Sequence, residues 1–149
     1  MCRIDYADDE GGFWREEPHE VTARKDHRCG DCGRTIAKGE PYTRGVWLMP
    51  GEGHMAVSMC SQCVHAGRWL RKVCGGHFWP GVIEELQEHW DEEFELRSPG
   101  LARLLVATGK SNHTMGRKPW EWKGALVPVE TVDRWVDAAL AKVPAGAMH

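Results

Sequence analysis

The sequence predicts an α+β fold: a small centre organised by cysteines, with additional amphipathic helices around it. Three observations predict it. Two C-x2-C pairs, Cys29/Cys32 and Cys60/Cys63, are separated by the 27 residues from Gly33 to Met59. That interval holds two strand-like runs, residues 41–49 and 54–59, divided by the turn residues Pro50-Gly51-Glu52-Gly53. Beyond the second pair, apolar residues recur at helical spacing in residues 81–97 and again in 132–140.

A chain of 149 residues fits one domain with a modest core. It holds no apolar run long enough to cross a bilayer, and the first residues, Met1-Cys2-Arg3-Ile4-Asp5-Tyr6, do not follow the basic-then-apolar order of a secretory leader. The expectation is a cytoplasmic protein. In that compartment thiols stay reduced, and paired cysteines serve a metal or catalysis more often than a disulfide. The net charge of −3 conceals an alternation of acidic and basic blocks. Residues 1–20 set seven acids against Arg3 and Arg15, whereas residues 24–77 are strongly basic. Residues 78–100 set seven acids against Arg97 alone, and the remainder is basic again. A charged partner would therefore meet one face of one sign rather than an average.

Two residues between cysteines let both sulfurs of a tight turn reach one ion, and two such pairs complete a closed tetrahedral shell. A thioredoxin-like pair needs one C-x-x-C within a βαβ pattern, and no such pattern surrounds Cys29. Cys29, Cys32, Cys60 and Cys63 are accordingly the expected ligands of one structural Zn²⁺. Four thiolates leave no coordination position for water or substrate, so no chemistry is expected at the ion. Gly33 follows the second cysteine where the backbone must turn back, which makes 29–33 a knuckle. The second pair opens a helix that carries Arg68, Arg71 and Lys72 towards its end and is stopped by Cys74-Gly75-Gly76.

Knuckle, hairpin and a helix bearing the last ligands is the order of a treble-clef zinc finger, and residues 27–77 resemble that superfamily. The runs CGDCGRTIAKGEPY, CSQC and CGGHFWPGVIEELQEHW are, more narrowly, similar to small zinc-finger proteins of bacteriophages and prophages. That resemblance covers about the first two-thirds of the chain. It implies a virus-related bacterial setting, with the host cytoplasm as location, and carries no established activity.

Other residues suggest less. Arg24, Lys25, Arg28 and Arg34 lie near the cysteines and offset a dianionic cluster or face a partner. Cys74 and His77 have ligand-like spacing, but there is no matching second pair; Cys74 reads as a packed residue, Cys2 as a free thiol, and His27 as a neighbour of the cluster. An HNH-like nuclease would place a histidine base at His54 after an aspartate, yet Gly53 stands there and the following helix offers only His65. No catalytic residue is assigned. In the acidic helix, expected over 81–97, Val82, Ile83, Leu86, Trp90 and Phe94 form the apolar face; Glu84, Glu85, Glu88, Asp91, Glu92 and Glu95 form the other. Ser98-Pro99 starts a further helix. Residues 108–118 read as an exposed loop. Trp120 and Trp122, interleaved with Lys118 and Lys123, either stack bases or cover core, and the strand-like 124–129 beside them favours core. Val132, Trp135, Val136, Ala139 and Leu140 mark a closing helix.

The organisation expected is an acidic segment 1–26, the cysteine-bearing unit 27–77 and a helical extension 78–149. The function expected is a non-enzymatic, zinc-stabilised interaction protein that binds or inhibits a host macromolecule. A protein partner is preferred because two acidic blocks oppose phosphate binding. The alternative is a nucleic-acid-binding finger using Arg24, Lys25, Arg34 and Lys118.

Overall fold

The structure, a computed structural model, describes residues 12–75, 81–109 and 118–147. Its sheet begins with an element that the sequence pattern conceals. Strand β1 (Phe13–Thr22) pairs antiparallel with β4 (Pro41–Met49), and β4 pairs with β5 (Gly53–Cys60) to give a three-stranded sheet in the order β1-β4-β5. Along β1 the half-buried residues are Trp14, Glu16, Pro18 and Val21, so burial alternates as far as Pro18 while alternation in hydrophobicity is missing. Proline is tolerated because β1 is an edge strand whose register shifts between Trp14 and Glu16 and again between Glu16 and His19. The β4–β5 turn is the one expected at 50–53: Gly51 and Gly53 take φ of 85° and 94°, and the Glu52 N–H donates to the Met49 carbonyl at 2.9 Å.

Between β1 and β4 the chain forms the knuckle, in which β2 (His27–Arg28) pairs with β3 (Thr35–Ile36). Gly33, at φ 80°, closes it by donating its N–H to the Cys29 carbonyl at 3.0 Å. Helix α1 (Ser61–Cys74) follows β5 directly and ends at Gly75, whose left-handed backbone returns an N–H to the Arg71 carbonyl. Helix α1 touches the hairpin through β4 and β5 and also packs on α2 (Val82–Glu92) and α4 (Val129–Ala141). Trp69, Leu70 and Ala66 of α1 are fully enclosed and share one core with Met59, Leu86, Leu104 and Val132.

Helix α3 (Pro99–Ala107) starts as its sequence predicts, with Ser98 Oγ accepting from the Leu101 N–H at 3.1 Å. It approaches α4 closely at Gly100, where a Cβ would lie 2.5 Å from the Trp135 carbonyl oxygen. A short hairpin, β6 (Glu121–Trp122) with β7 (Ala125–Leu126), leads into α4. The strand-like 124–129 is thus reduced to two paired residues. Val132, Val136 and Ala139 bury the inner face of α4 as expected. Of the loop read at 108–118, residues 110–117 lie outside the described residues.

Helix α2 departs from expectation at its end and on one face. It stops at Glu92; Glu93 leaves helical geometry at φ −124°, ψ 85°, and Phe94–Leu96 forms a single 3-10 turn. The turn sends Leu96 into the core and leaves Phe94 72% exposed, with the Arg97 guanidinium 4.0 Å above its ring. Glu85, assigned to the solvated face, is buried together with His89. Helix α2 is covered over more of its circumference than a one-sided amphipathic stripe provides.

Candidate metal centre

Knuckle and helix start meet at the cysteines. The Sγ atoms of Cys29, Cys32, Cys60 and Cys63 all lie within 4.8 Å of one another, and all four residues are buried. Cys29 to Cys63 and Cys32 to Cys60 are each 3.8 Å apart. Four sulfurs placed about 2.3 Å from a common centre at tetrahedral angles stand about 3.8 Å from one another. The spacing therefore fits one tetrahedrally bound metal ion, and it is far too long for a disulfide at about 2.05 Å. The elements explain the convergence. The Gly30 N–H donates to the Ser58 carbonyl at 2.7 Å and fastens the knuckle to β5, which carries Cys60 as its last residue. One helical turn further, Cys63 points from α1 into the same enclosure.

Each sulfur contact made by an N–H stabilises negative charge on the cluster. Asp31 N–H and Cys60 N–H approach Cys29 Sγ at 3.4 and 3.3 Å, and Arg34 N–H approaches Cys32 Sγ at 3.4 Å. The shortest such contact comes from far along the chain: the indole Nε1 of Trp120 donates to Cys63 Sγ at 3.2 Å. Trp120 is fully buried and holds a left-handed backbone at φ 58°, where a side chain of its size is uncommon. Its N–H and carbonyl are both fixed, the first by the Ala107 carbonyl at 2.6 Å and the second by the Val127 N–H at 2.7 Å.

Proton affinities within the cluster diverge. Hydrogen bonds from Cys32, and then from Cys60 and Cys63, hold Cys29 far below the ordinary thiol range. Burial pushes the fully enclosed Cys63 well above it. Four thiolates confined together repel one another, and a dication is the kind of charge that allows all four to ionise. Arg34 supplies further compensation. Its guanidinium bonds Glu40 Oε1 at 2.7 Å and Gln62 Oε1 at 2.7 Å. Burial works against its charge, but the Glu40 bond and the neighbouring Cys60 outweigh it and keep its pKa above the usual value. Gln62 in turn donates Nε2 to the Val127 carbonyl at 3.0 Å.

Asp31, inside the first pair, also works outside the cluster. Its Oδ2 accepts from the Val82 N–H at 2.9 Å and so caps α2, whose own cap residue is Gly81 without a side chain. Burial, with the nearby Cys29 sulfur adding to it, pushes the Asp31 carboxyl up to about 6.

The other sequence candidates sit elsewhere. His27 stacks on Tyr42, ring centroids 4.8 Å apart, and its Nε2 lies 3.3 Å from the Tyr42 hydroxyl. His54 Nε2 accepts from Arg15 Nη1 at 2.9 Å on an exposed strand end, while His65 Nδ1 pairs with Asp133 Oδ1 at 2.9 Å. Cys74 Sγ is 3.2 Å from His89 Nε2; His77 and Cys2 lie outside the described residues. Trp120 packs as core, and Trp122 meets Trp135 edge to face at 6.1 Å between centroids. Of the cations offered to nucleic acid, Arg24, Lys25 and Lys118 are exposed, whereas the Arg34 side chain is only 8% exposed. Sequence reasoning missed Trp120, Asp31 and Gln62 as supports of the centre. Asp31 and Gln62, each by its place between two cysteines, carried some signal, and Trp120 carried none. Comparison with family models, with curated proteins and with solved structures finds no match.

Proposed function

We propose that this chain is a non-enzymatic interaction protein, held together by one structural zinc ion in a treble-clef arrangement, that binds a host macromolecule in a phage- or prophage-related bacterial setting. The observation that carries the reading is the cluster itself: four buried sulfurs within 4.8 Å of one another, which would fill every position around one tetrahedral ion. Cys29, Cys32, Cys60 and Cys63 hold the metal, and its chemistry there is charge neutralisation and cross-linking. A four-sulfur tetrahedral site suits zinc or iron; a redox-silent, closed role is that of zinc. The separate commitments of His54 to Arg15 and of His65 to Asp133 support a non-enzymatic reading.

Two surfaces suit a partner. Exposed acids such as Asp91 and Glu95, on α2 and the turn after it, favour a protein presenting cations. The exposed Arg24 and Lys25 favour the second reading, a phosphate-bearing partner.

Metal analysis tests the core of the proposal. One zinc per chain is expected, and strong chelation should abolish the folded circular-dichroism signal. Iron in the purified protein, unchanged circular dichroism after verified metal loss, or a metal-dependent nuclease activity lost in His54→Ala would each overturn it.

A further inference from the structure

A groove of about 810 Å³ opens where the chain leaves β1 for the knuckle. Val21 and Tyr42, paired across β1 and β4, line it, and Arg24, Lys25, His27 and Arg44 complete its walls. The segment is anchored on both sides of the bend. The Ala23 N–H donates to the Glu40 carbonyl and the Ala23 carbonyl accepts from the Gly39 N–H, each at 2.9 Å. His27 is held against Tyr42 by stacking and by its contact with the hydroxyl. The concavity is therefore built before any ligand arrives.

Its cations are not equally available. Arg44 is shared with Glu16 at 3.3 Å. Elsewhere Arg34 is spent on Glu40 and Arg68 on Asp137 at 2.8 Å. Arg24 and Lys25, both exposed, make no ion pair among the described residues. Two uncommitted cations beside the half-buried His27 ring and Val21 match a ligand that is anionic along its backbone and flat at its side groups. A long duplex does not fit, because Glu16, Glu17 and Glu20 occupy the adjoining length of β1. A strand-forming peptide does not fit either, since Pro18 and two register shifts break the outer edge of β1.

We propose that this groove binds a short segment of single-stranded nucleic acid, with phosphates on Arg24 and Lys25 and a base against the half-buried His27 ring, which is backed by the buried Tyr42. The proposal rests on the zinc-stabilised reading only in that His27 belongs to the knuckle that the metal would fold.

The test is fluorescence anisotropy of a labelled oligothymidylate of about ten nucleotides against the full-length, zinc-loaded chain. Binding should weaken between about 50 and about 200 mM salt, and Arg24→Ser with Lys25→Ser should lower affinity at least about tenfold and flatten the logarithmic salt slope by about 1.4. His27→Ala should cost about tenfold or more, with zinc content and circular dichroism of both variants unchanged. Absence of binding at low salt, or binding that the double substitution leaves intact, overturns the proposal. So does polyglutamate bound as tightly and lost in the same variant, which would make the groove a site for acidic protein. Oligonucleotide binding that survives verified zinc removal would defeat the metal reading and leave the groove assignment standing.

Discussion

The two cysteine pairs reach the same enclosure by different means. Cys29 and Cys32 are held by their own turn: backbone N–H groups two residues on, from Asp31 and Arg34, point at their sulfurs, and Gly33 closes the loop. Cys63 is held by its place in α1 and by the indole of Trp120, 57 residues away. The first pair is a local motif, while the second is a product of packing. The centre therefore joins the sheet to the helices and is not an appendage to either. Asp31 ties it to α2, and the Arg34–Gln62–Val127 chain ties it to the segment that enters α4.

The largest expected effect ignores the difference between the pairs. Cys29→Ser or Cys63→Ser removes a thiolate from a shell whose binding energy is folding energy. Either variant should lose the metal and the cooperative thermal transition, and a variant that retained both in a zinc assay and a calorimetric scan would show that four sulfurs are not needed. Acid should act likewise, because thiolates must stay deprotonated to hold the ion.

Gly100→Ala comes next and sharpens the comparison, because it touches only the helices. The added Cβ would meet the Trp135 carbonyl at 2.5 Å and the Ala139 N at 2.8 Å, so α3 and α4 must separate at a cost of about 1–3 kcal/mol. Trp120 hangs from the end of α3 through its bond to Ala107. Denaturant unfolding should register the lost stability, and a chelator should extract metal faster than from the unaltered chain. Equal extraction rates would mean that the second pair does not feel the helices.

Trp120→Phe removes the indole N–H that donates to Cys63 Sγ. A hydrogen bond to a charged group contributes about 1.5–3 kcal/mol, and the smaller ring adds a packing loss. Faster metal transfer to a chelator is expected, with Cys63 alkylated ahead of Cys29 when labelling sites are read by mass spectrometry. Preferential alkylation of Cys29 would reverse the assignment.

The smallest effect falls on the first pair's outward tie. Asp31→Ala should cost about 1 kcal/mol through loss of the α2 cap, and Asp31→Asn, which keeps a capping oxygen, should recover most of it. Urea titration distinguishes the two; an asparagine variant as weak as alanine would assign the loss to charge instead of capping.

Features decided within a few residues can be read along the chain: two pairs spaced for one ion, a reversal at Gly33, a hairpin turn at Gly51 and Gly53, and a helix start at Ser98-Pro99. Such features follow from φ preferences and short side-chain reach, and they are legible because cause and effect share a window. Strand β1 escaped because its half-buried residues are Trp14, Glu16, Pro18 and Val21, with a carboxylate and a proline among them and no steady apolar alternation. Long-range packing encloses Arg34 beside Cys60, puts Leu96 in the core in place of Phe94, and lets Trp120 donate to Cys63. Asp31 and Val82 are 51 residues apart, and Gln62 and Val127 are 65 apart. No periodicity encodes such meetings; they exist because α1 places the sheet, the knuckle and two other helices against a single core.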